Sequence, residues 1–153
     1  MTMPIRPATP ADIPLMRALE LQADTAAHWA EREYGALFAP DAPKRMALVA
    51  SEAEHDIAGF LVARCGLDEW EIENVVVDTH RRRGGIGAAL VDELQRRAAG
   101  ARVPALLLEV RESNTPARRL YEKMGFSEMG RRTGYYQNPA EDALLLKYSV
   151  SFT

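Results

Sequence analysis

No apolar run in this sequence approaches the length of a bilayer-spanning helix, and the opening MTMPIRPATPAD lacks the apolar core of a secretory leader. No membrane association is expected, and the cytoplasm is the expected location. Cysteine is represented by Cys65 alone, so no internal disulfide can form, and its place in the apolar run FLVARCGL reads as a buried, inert thiol. His28, His55 and His80 are scattered without metal-ligand spacing, which predicts no metal. Neither standard phosphate loop is present: no Gly-Lys-Ser or Gly-Lys-Thr occurs, and the glycines do not have dinucleotide-fingerprint spacing. Repeats, low-complexity tracts and linkers are also missing. A formal net charge of −3 argues against specific nucleic-acid binding, although arginines at 81–83, 96–97, 118–119 and 131–132 make local basic surface. At 153 residues the expectation is one domain, 1–153, able to bury roughly two thirds of its unfolded surface.

What is present is concentrated in Val75 to Leu90, VVVDTHRRRGGIGAAL. A β-branched run enters a polar turn, three arginines follow, and glycines open a helix. Such a helix start leaves backbone N–H groups unpaired where the helix dipole also favours negative charge, which makes it an anion cradle. Arg82, Gly85 and Gly87 have the spacing Arg-x-x-Gly-x-Gly, and Gly84 adds freedom for close approach of a ligand, a diphosphate being well suited. The alternative reading is a tight turn beside a solvated basic run.

Taken in order, the chain begins with a short edge strand around Ile5. Thr9-Pro10-Ala11-Asp12 then has the pattern of a helix start, with Ile13, Met16 and Leu19 as its apolar face. A second helix is predicted over 26–38, where Ala30, Tyr34, Leu37 and Phe38 recur at helical spacing before Pro40 and Pro43. Its aromatics, Trp29, Tyr34 and Phe38, read either as packing on a sheet or as the lining of a substrate groove. Strands over 45–51, 57–65 and 70–77 should form an antiparallel meander. After the glycine turn, Ile86, Leu90, Val91, Leu94 and Ala98 mark a helix that Gly100 ends. The run ALLLEV is apolar except for Glu109, which suggests a strand paired in parallel through a βαβ crossover. Ser113 or Asn114 can cap a further helix with Ala117, Leu120, Tyr121 and Met124 on its apolar face, stopped by Gly125. Strands over 126–135 and 143–148 flank a QNPAED loop.

RRRGGIG, LLLEVRESN and RLYEKMGF, in this order, resemble the GNAT superfamily of acetyl-CoA-dependent N-acetyltransferases, the RimI-type branch above all. That branch acetylates the α-amine of an N-terminal alanine on a ribosomal protein. The resemblance is dense from Glu71 to Tyr136. It implies an α/β (α+β) GNAT fold: a mixed, mostly antiparallel sheet of about seven strands, four helices, and a central parallel strand pair around a βαβ cofactor site. It also implies acetyl-CoA as cofactor. Backbone at Val75, Val76 and Val77 would bond its acetyl and pantetheine groups, Arg83, Gly84, Gly85, Ile86, Gly87 and Ala88 would wrap its pyrophosphate, and Asn114 would bond the cofactor arm. Glu109 would be the general base and Tyr121 the general acid. The expected partner is an amine acceptor, a protein N-terminus before others, and the protein is expected to be a monomer or weak dimer.

The chemistry of these residue types agrees. Acetyl transfer needs a neutral amine, a donor to the developing oxyanion, and a proton for the departing thiolate. A carboxylate ending an apolar strand is a candidate base; the alternative for Glu109 is an exposed strand end or an ion pair with Arg111 or Arg118. Tyr121 is otherwise a core residue with a nearby hydrogen bond. With a reference pKa near 10, against roughly 8.5 for a thiol, a phenol assists mainly by hydrogen-bonding the sulfur. The oxyanion donor should be a backbone N–H near Val76 or Val77. Glu71 and Glu73, two apart on one strand, are reserve bases, acting directly or through water. Trp29, Glu73, Tyr135 and Tyr136 are the candidate acceptor-binding residues, with Glu141 and Asp142 beyond the hairpin available for an ammonium. Relatives tend to carry a Pro-Trp-Ser run between the first two helices, where this chain reads QADTAAHWAERE. Two other functions remain open: acetylation of a small amine such as a polyamine, amino acid or antibiotic, and a non-catalytic acetyl-CoA-binding module.

Overall fold

The computed structural model describes residues 3–22, 31–39, 44–53, 55–81, 84–137 and 139–152, with backbone alone for 31–33. The strands are β1 (Ile5–Pro7), β2 (Arg45–Ala50), β3 (Gly59–Cys65), β4 (Glu69–Val77), β5 (Ala105–Arg111), β6 (Ser127–Tyr136) and β7 (Glu141–Ser149). The helices are α1 (Ile13–Gln22), α2 (Glu31–Ala36), α3 (Ile86–Gly100) and α4 (Thr115–Lys123). The strands make one seven-stranded sheet in the order β1-β2-β3-β4-β5-β7-β6. β4 and β5 run parallel, and every other neighbouring pair is antiparallel. The fold expectation is met, including the meander and the parallel crossover through α3. None of the helices among the described residues is long and apolar enough to cross a membrane.

Local chemistry sets the boundaries. Asp12 closes the entry to α1 by accepting from the Thr9 N–H at 2.8 Å, while Arg6 holds the same carboxylate at 2.8 and 2.9 Å. Gly66 closes the β3–β4 hairpin, its N–H donating to the Glu69 carbonyl at 3.0 Å. Asn114, not Ser113, caps α4 by accepting from the Ala117 N–H at 3.3 Å. Gly125 ends that helix with φ at +94°, where a Cβ would also lie 3.1 Å from the Tyr148 ring.

Two expectations need adjustment. Of the helix predicted over 26–38 the structure describes Glu31–Ala36, and residues 23–30, Trp29 among them, lie outside the described residues, as do Pro40 and Pro43. The QNPAED loop is shorter than expected because Glu141 and Asp142 belong to β7, Glu141 sitting opposite Tyr136 and anchored by Arg111 at 3.0 Å.

The sheet is covered on both faces. Leu48, Leu61, Trp70, Ile72, Leu106, Leu108 and Val110 form one core with Leu90, Val91 and Leu94 of α3 and with Tyr121 of α4. Val49, Phe60, Val62 and Val76 form the other with Met16 and Leu19 of α1 and with Tyr34. Strict alternation along each strand would assign the faces, but β4 breaks it: Ile72 pairs with Ala63 and Asn74 with Val62, so Glu73 is an extra, bulged residue. Trp70 and Ile72 therefore share the α3 face with Val75 and Val77, and Val76 turns to the α1 face.

Candidate active site

The parallel pairing between β4 and β5 is short. It runs from Glu69 opposite Ala105 to Ile72 opposite Leu108 and stops there. Beyond that point β4 continues with β3, and β5 continues with β7. The two strands thus part, and the β5-facing edge of β4 from Glu73 to Val77 has no strand beside it. Backbone donors and acceptors along such an edge must find other partners, and an extended ligand can supply them. The expected roles for the backbone of Val75, Val76 and Val77 fall on this edge.

Directly ahead of the edge lies the start of α3. Gly85 occupies its N-cap position in the left-handed region at φ +75°, makes no side-chain cap, and among the described residues has no non-adjacent heavy atom within 4 Å of where a Cβ would be. Among the described residues no side chain caps the first turn, Ile86, Gly87 and Ala88, whose N–H groups are the kind an anion site uses. Burial of Ile86, Leu90, Val91, Leu94 and Ala98 anchors the helix behind it. Gly84 and Gly85 lie immediately before the helix, whereas Gly87 packs on α4: a Cβ there would stand 3.2 Å from Leu120. The arginine run divides. Arg81 turns away to Asp56 at 2.9 Å and to Asp78 at 3.6 Å. Arg82 and Arg83 lie outside the described residues. Asn114 commits its side-chain carbonyl to the α4 cap, which leaves its NH₂ as the group that could meet a ligand.

Glu109, one position past Leu108 where the strands part, and Tyr121 lie on opposite faces of the sheet. Glu109 stands between Leu108 and Val110, which both face α3, so its side chain projects to the α1 face. Tyr121 is 7% exposed among the α3-face residues, edge-on to Phe126 with ring centroids 5.5 Å apart. Burial pushes its phenol well above the ordinary tyrosine range, so it holds its proton throughout working pH. Its hydroxyl has no hydrogen bond among the described residues, which removes the purely structural reason for it.

The carboxylate of Glu109 is paired, though with neither Arg111 nor Arg118. Nε of Arg132 lies 3.0 Å from its Oε1 in an ion pair. Arg111 instead pairs with Glu141, and Arg118 donates to the Glu112 carbonyl at 2.8 Å. Nothing in the sequence pointed to Arg132, because the strand order carries β7 between β5 and β6.

The acceptor-side candidates are partly assembled. Tyr135 and Tyr136 meet edge-on at 5.2 Å, Arg132 lies 5.3 Å from the centroid of Tyr135, and Arg111 lies 4.3 Å from that of Tyr136. Burial raises the Tyr136 phenol, and the nearby charge of Glu109 adds to the effect. Glu141 and Asp142, expected to meet an ammonium, are engaged within the hairpin. Arg111 and Ser113 hold Glu141 below the usual carboxylate range. The Gly134 N–H and Arg131 do the same for Asp142. Glu73 is held by Arg45 at 2.6 Å and Glu71 by Arg64 at 3.5 Å, so both reserve bases are ion-paired on the α1 face. Tyr34 is core, whereas Phe38 lines a cavity of about 600 Å³ that also touches Arg45, Cys65, Trp70 and Arg97 but neither Glu109 nor Tyr121. Cys65 is half-buried and its thiol is raised by burial, as an inert cysteine should be.

Comparison with known proteins gives the family and the fold. Residues 15–126 match the Acetyltransferase (GNAT) family. The [ribosomal protein bS18]-alanine N-acetyltransferase of Escherichia coli (strain K12) is 39% identical over 101 residues, covering 62% of this chain and 66% of that protein's length. The protein of the same name from Haemophilus ducreyi (strain 35000HP / ATCC 700724) is 33% identical over 120 residues, covering 76% of this chain and 79% of that one. The crystal structure of the ribosomal-protein-S18-alanine N-acetyltransferase from Escherichia coli superposes with a TM-score of 0.85 at 29% identity, over 98% of this chain and 95% of that chain. Arabidopsis thaliana NAA60, in complex with a bisubstrate analogue, shares the fold at a TM-score of 0.85 and 21% identity, over 99% and 100% of the two chains.

Proposed function

The chain belongs to the Acetyltransferase (GNAT) family, and we propose that it transfers an acetyl group from acetyl-CoA to the N-terminal α-amine of a protein, in the manner its ribosomal-protein-alanine relatives are named for. The observation that carries the reading is the parting of β4 from β5 beyond Ile72 and Leu108, with an anion-ready helix start ahead of it, Glu109 on one face and Tyr121 on the other. A ribosomal-protein acceptor would place the protein in the cytoplasm.

The space at Gly85 among the described residues and the edge of β4 beyond its pairing with β5 fit an extended molecule with a diphosphate. The first turn of α3 with Gly84 and Gly85 would hold the diphosphate, the backbone of Val75–Val77 the pantetheine and acetyl groups, and the NH₂ of Asn114 the arm. Bound there, acetyl-CoA supplies an activated acyl carbonyl and a thiol leaving group.

The residues of the chain supply the rest. Glu109, reached from the α1 face, takes the proton of the acceptor ammonium, directly or through water, so that the neutral amine can attack. A backbone N–H on the free edge of β4, near Val76 or Val77, donates to the oxygen on which charge develops. Tyr121, kept protonated by its dry surroundings on the α3 face, donates to the sulfur as it departs. Tyr135 and Tyr136 flank the carboxylate on the acceptor side. An α-amine with a reference pKa of about 8 suits a carboxylate base better than a lysine amine at about 10.4, which favours N-termini over side chains.

The test is thiol release from acetyl-CoA against a panel: alanine-starting peptides, the same peptides with blocked N-termini and internal lysines, polyamines and free amino acids. Free alanine N-termini should be the best acceptors at neutral pH. Equal rates on blocked peptides, or faster rates on the small amines, would refute the acceptor class.

A further inference from the structure

The functional reading does not absorb the contact that reaches Glu109. Arg132 is on β6, two strands away from β5 in the sheet, yet it reaches past β7 to the carboxylate. The local register explains how. Arg132 pairs with Ala143 and Tyr136 with Glu141, so β6 carries extra residues between these two positions. Gly134 sits in that bulge at φ +62°, with its N–H on the Asp142 carboxylate at 2.9 Å. In a regular strand Arg132 and Tyr135, three apart, would face opposite ways; the bulge brings the guanidinium within 5.3 Å of the Tyr135 ring centroid. Opposite Leu145 on β6 is Gly130, while Glu109 faces Leu145 from the other side, so beyond Leu145 that row carries no β6 side chain.

The contact is not explained by stability. The side chains of Arg132 and Glu109 are 56% and 26% exposed, and solvent-reached ion pairs contribute little. Its geometry is more informative. Nε lies 3.0 Å from Oε1 as an ion pair, and among the described residues no side-chain hydrogen bond engages either oxygen, so the carboxylate is held in place yet still able to accept from an ammonium or a water. A guanidinium keeps its charge and cannot act as base or acid, so its effect on proton transfer is through where it holds the carboxylate. The hold continues outward: Arg132 on Tyr135, Tyr135 on Tyr136, Tyr136 under Arg111, Arg111 on Glu141, and Glu141 on the hydroxyl and N–H of Ser113, the residue before the α4 cap.

We propose that Arg132 is a positioning residue: braced on Tyr135, its charge holds the Glu109 carboxylate where it can face the acceptor amine. The proposal rests on Glu109 being the base. The experiment is a double-mutant cycle with an alanine-starting peptide and acetyl-CoA, reading kcat and both KM values for wild type, Arg132→Met, Glu109→Gln and the double variant. Arg132→Met should lower kcat by roughly tenfold to a hundredfold, the scale of a misplaced reacting group, with KM for acetyl-CoA within about twofold. In the Glu109→Gln background the same change should alter kcat by less than about twofold, because the group it positions is already disabled. Equal losses in both backgrounds would reveal a structural role and overturn the proposal, as would an unchanged kcat in Arg132→Met while Glu109→Gln is impaired. Wild-type kcat in Glu109→Gln would show instead that the base assignment itself is wrong, and the positioning role would fall with it. Arg132 lies on an exposed edge strand, so the variants should fold, and their melting temperatures confirm it.

Discussion

Removing one oxygen from Tyr121 separates chemistry from packing. Tyr121→Phe leaves the ring edge-on to Phe126 and inside the α3-face core. No hydrogen bond among the described residues is lost with the hydroxyl, so stability should change by no more than about 0.5 kcal/mol. The rate should change far more. A phenol donating to a departing thiolate is a weak acid acting chiefly through a hydrogen bond, for which a loss of roughly tenfold to a thousandfold is expected, or about 1.4 to 4 kcal/mol of barrier. Because burial raises the phenol above its ordinary range, the wild type should show no alkaline loss of turnover from this group below about pH 10. The assay is thiol release at saturating acetyl-CoA, with melting followed in parallel. Tyr121→Ala is the contrast: truncating a buried aromatic should cost about 3 to 5 kcal/mol and confound rate with folding. If Tyr121→Phe turns over at the wild-type rate, the hydroxyl has no catalytic part and the ring is core alone.

Three further outcomes follow from the same structure. Gly85→Asp should abolish measurable acetyl-CoA binding by calorimetry in a folded protein, because a carboxylate would enter open space over the α3 N-terminus; part of its stability cost, about 1 to 2 kcal/mol, comes from the +75° φ alone. Gly87→Asp should act differently, lowering the melting temperature because its Cβ meets Leu120 at 3.2 Å, and retained stability with lost binding would contradict that packing role. Asp12 is held below the usual carboxylate range first by its hydrogen bonds from Arg6, so its contribution is complete above its unfolded pKa near 4 and is lost as pH falls through the depressed folded value. Asp12→Asn should cost about 1 to 3 kcal/mol at neutral pH and flatten the acid limb of the stability profile below about pH 4; parallel acid limbs for the two proteins would refute the linkage.

What the sequence disclosed was whatever depends on near neighbours along the chain. The stripe of Ile86, Leu90, Val91, Leu94 and Ala98 is a helical period, the glycines before it mark a turn that other residues resist, and the apolar run before Glu109 signals a strand covered on both faces. Glu109 and Tyr121 were legible as candidates because each stands out in such a pattern. The arrangement around them was not. A bulge leaves no compositional trace, so Glu73 reads as one more strand residue until its register with Val62 and Ala63 is known. The arginine run reads as one basic patch, yet Arg81 is drawn away by Asp56, a residue 25 positions earlier. Arg132 becomes a partner of Glu109 only through a strand order in which β7 enters between β5 and β6.

The opposed placement of the two catalytic candidates has a physical reason. A proton donor to sulfur is best kept dry, since burial holds a phenol in its protonated form, and Tyr121 has that environment on the α3 face. A carboxylate set beside it would meet the same burial, which disfavours the ionised form that a base requires. With the candidate base on the other face, partly exposed and ion-paired to a guanidinium, two groups with opposite needs would act on one bond through the gap where β4 and β5 part. That gap works only if β4 presents suitable groups along it, and here the bulge matters. Without the extra residue, the positions beyond Glu73 would exchange faces: buried Asn74 and Val76 would turn toward α3, and Val75 and Val77, now packed on the α3 side beside the helix start, would turn away. The geometry of the candidate site is thus a property of two irregularities in the sheet, a strand pair that stops early and a residue extra to the ladder, placed beside a helix that begins without a side-chain cap.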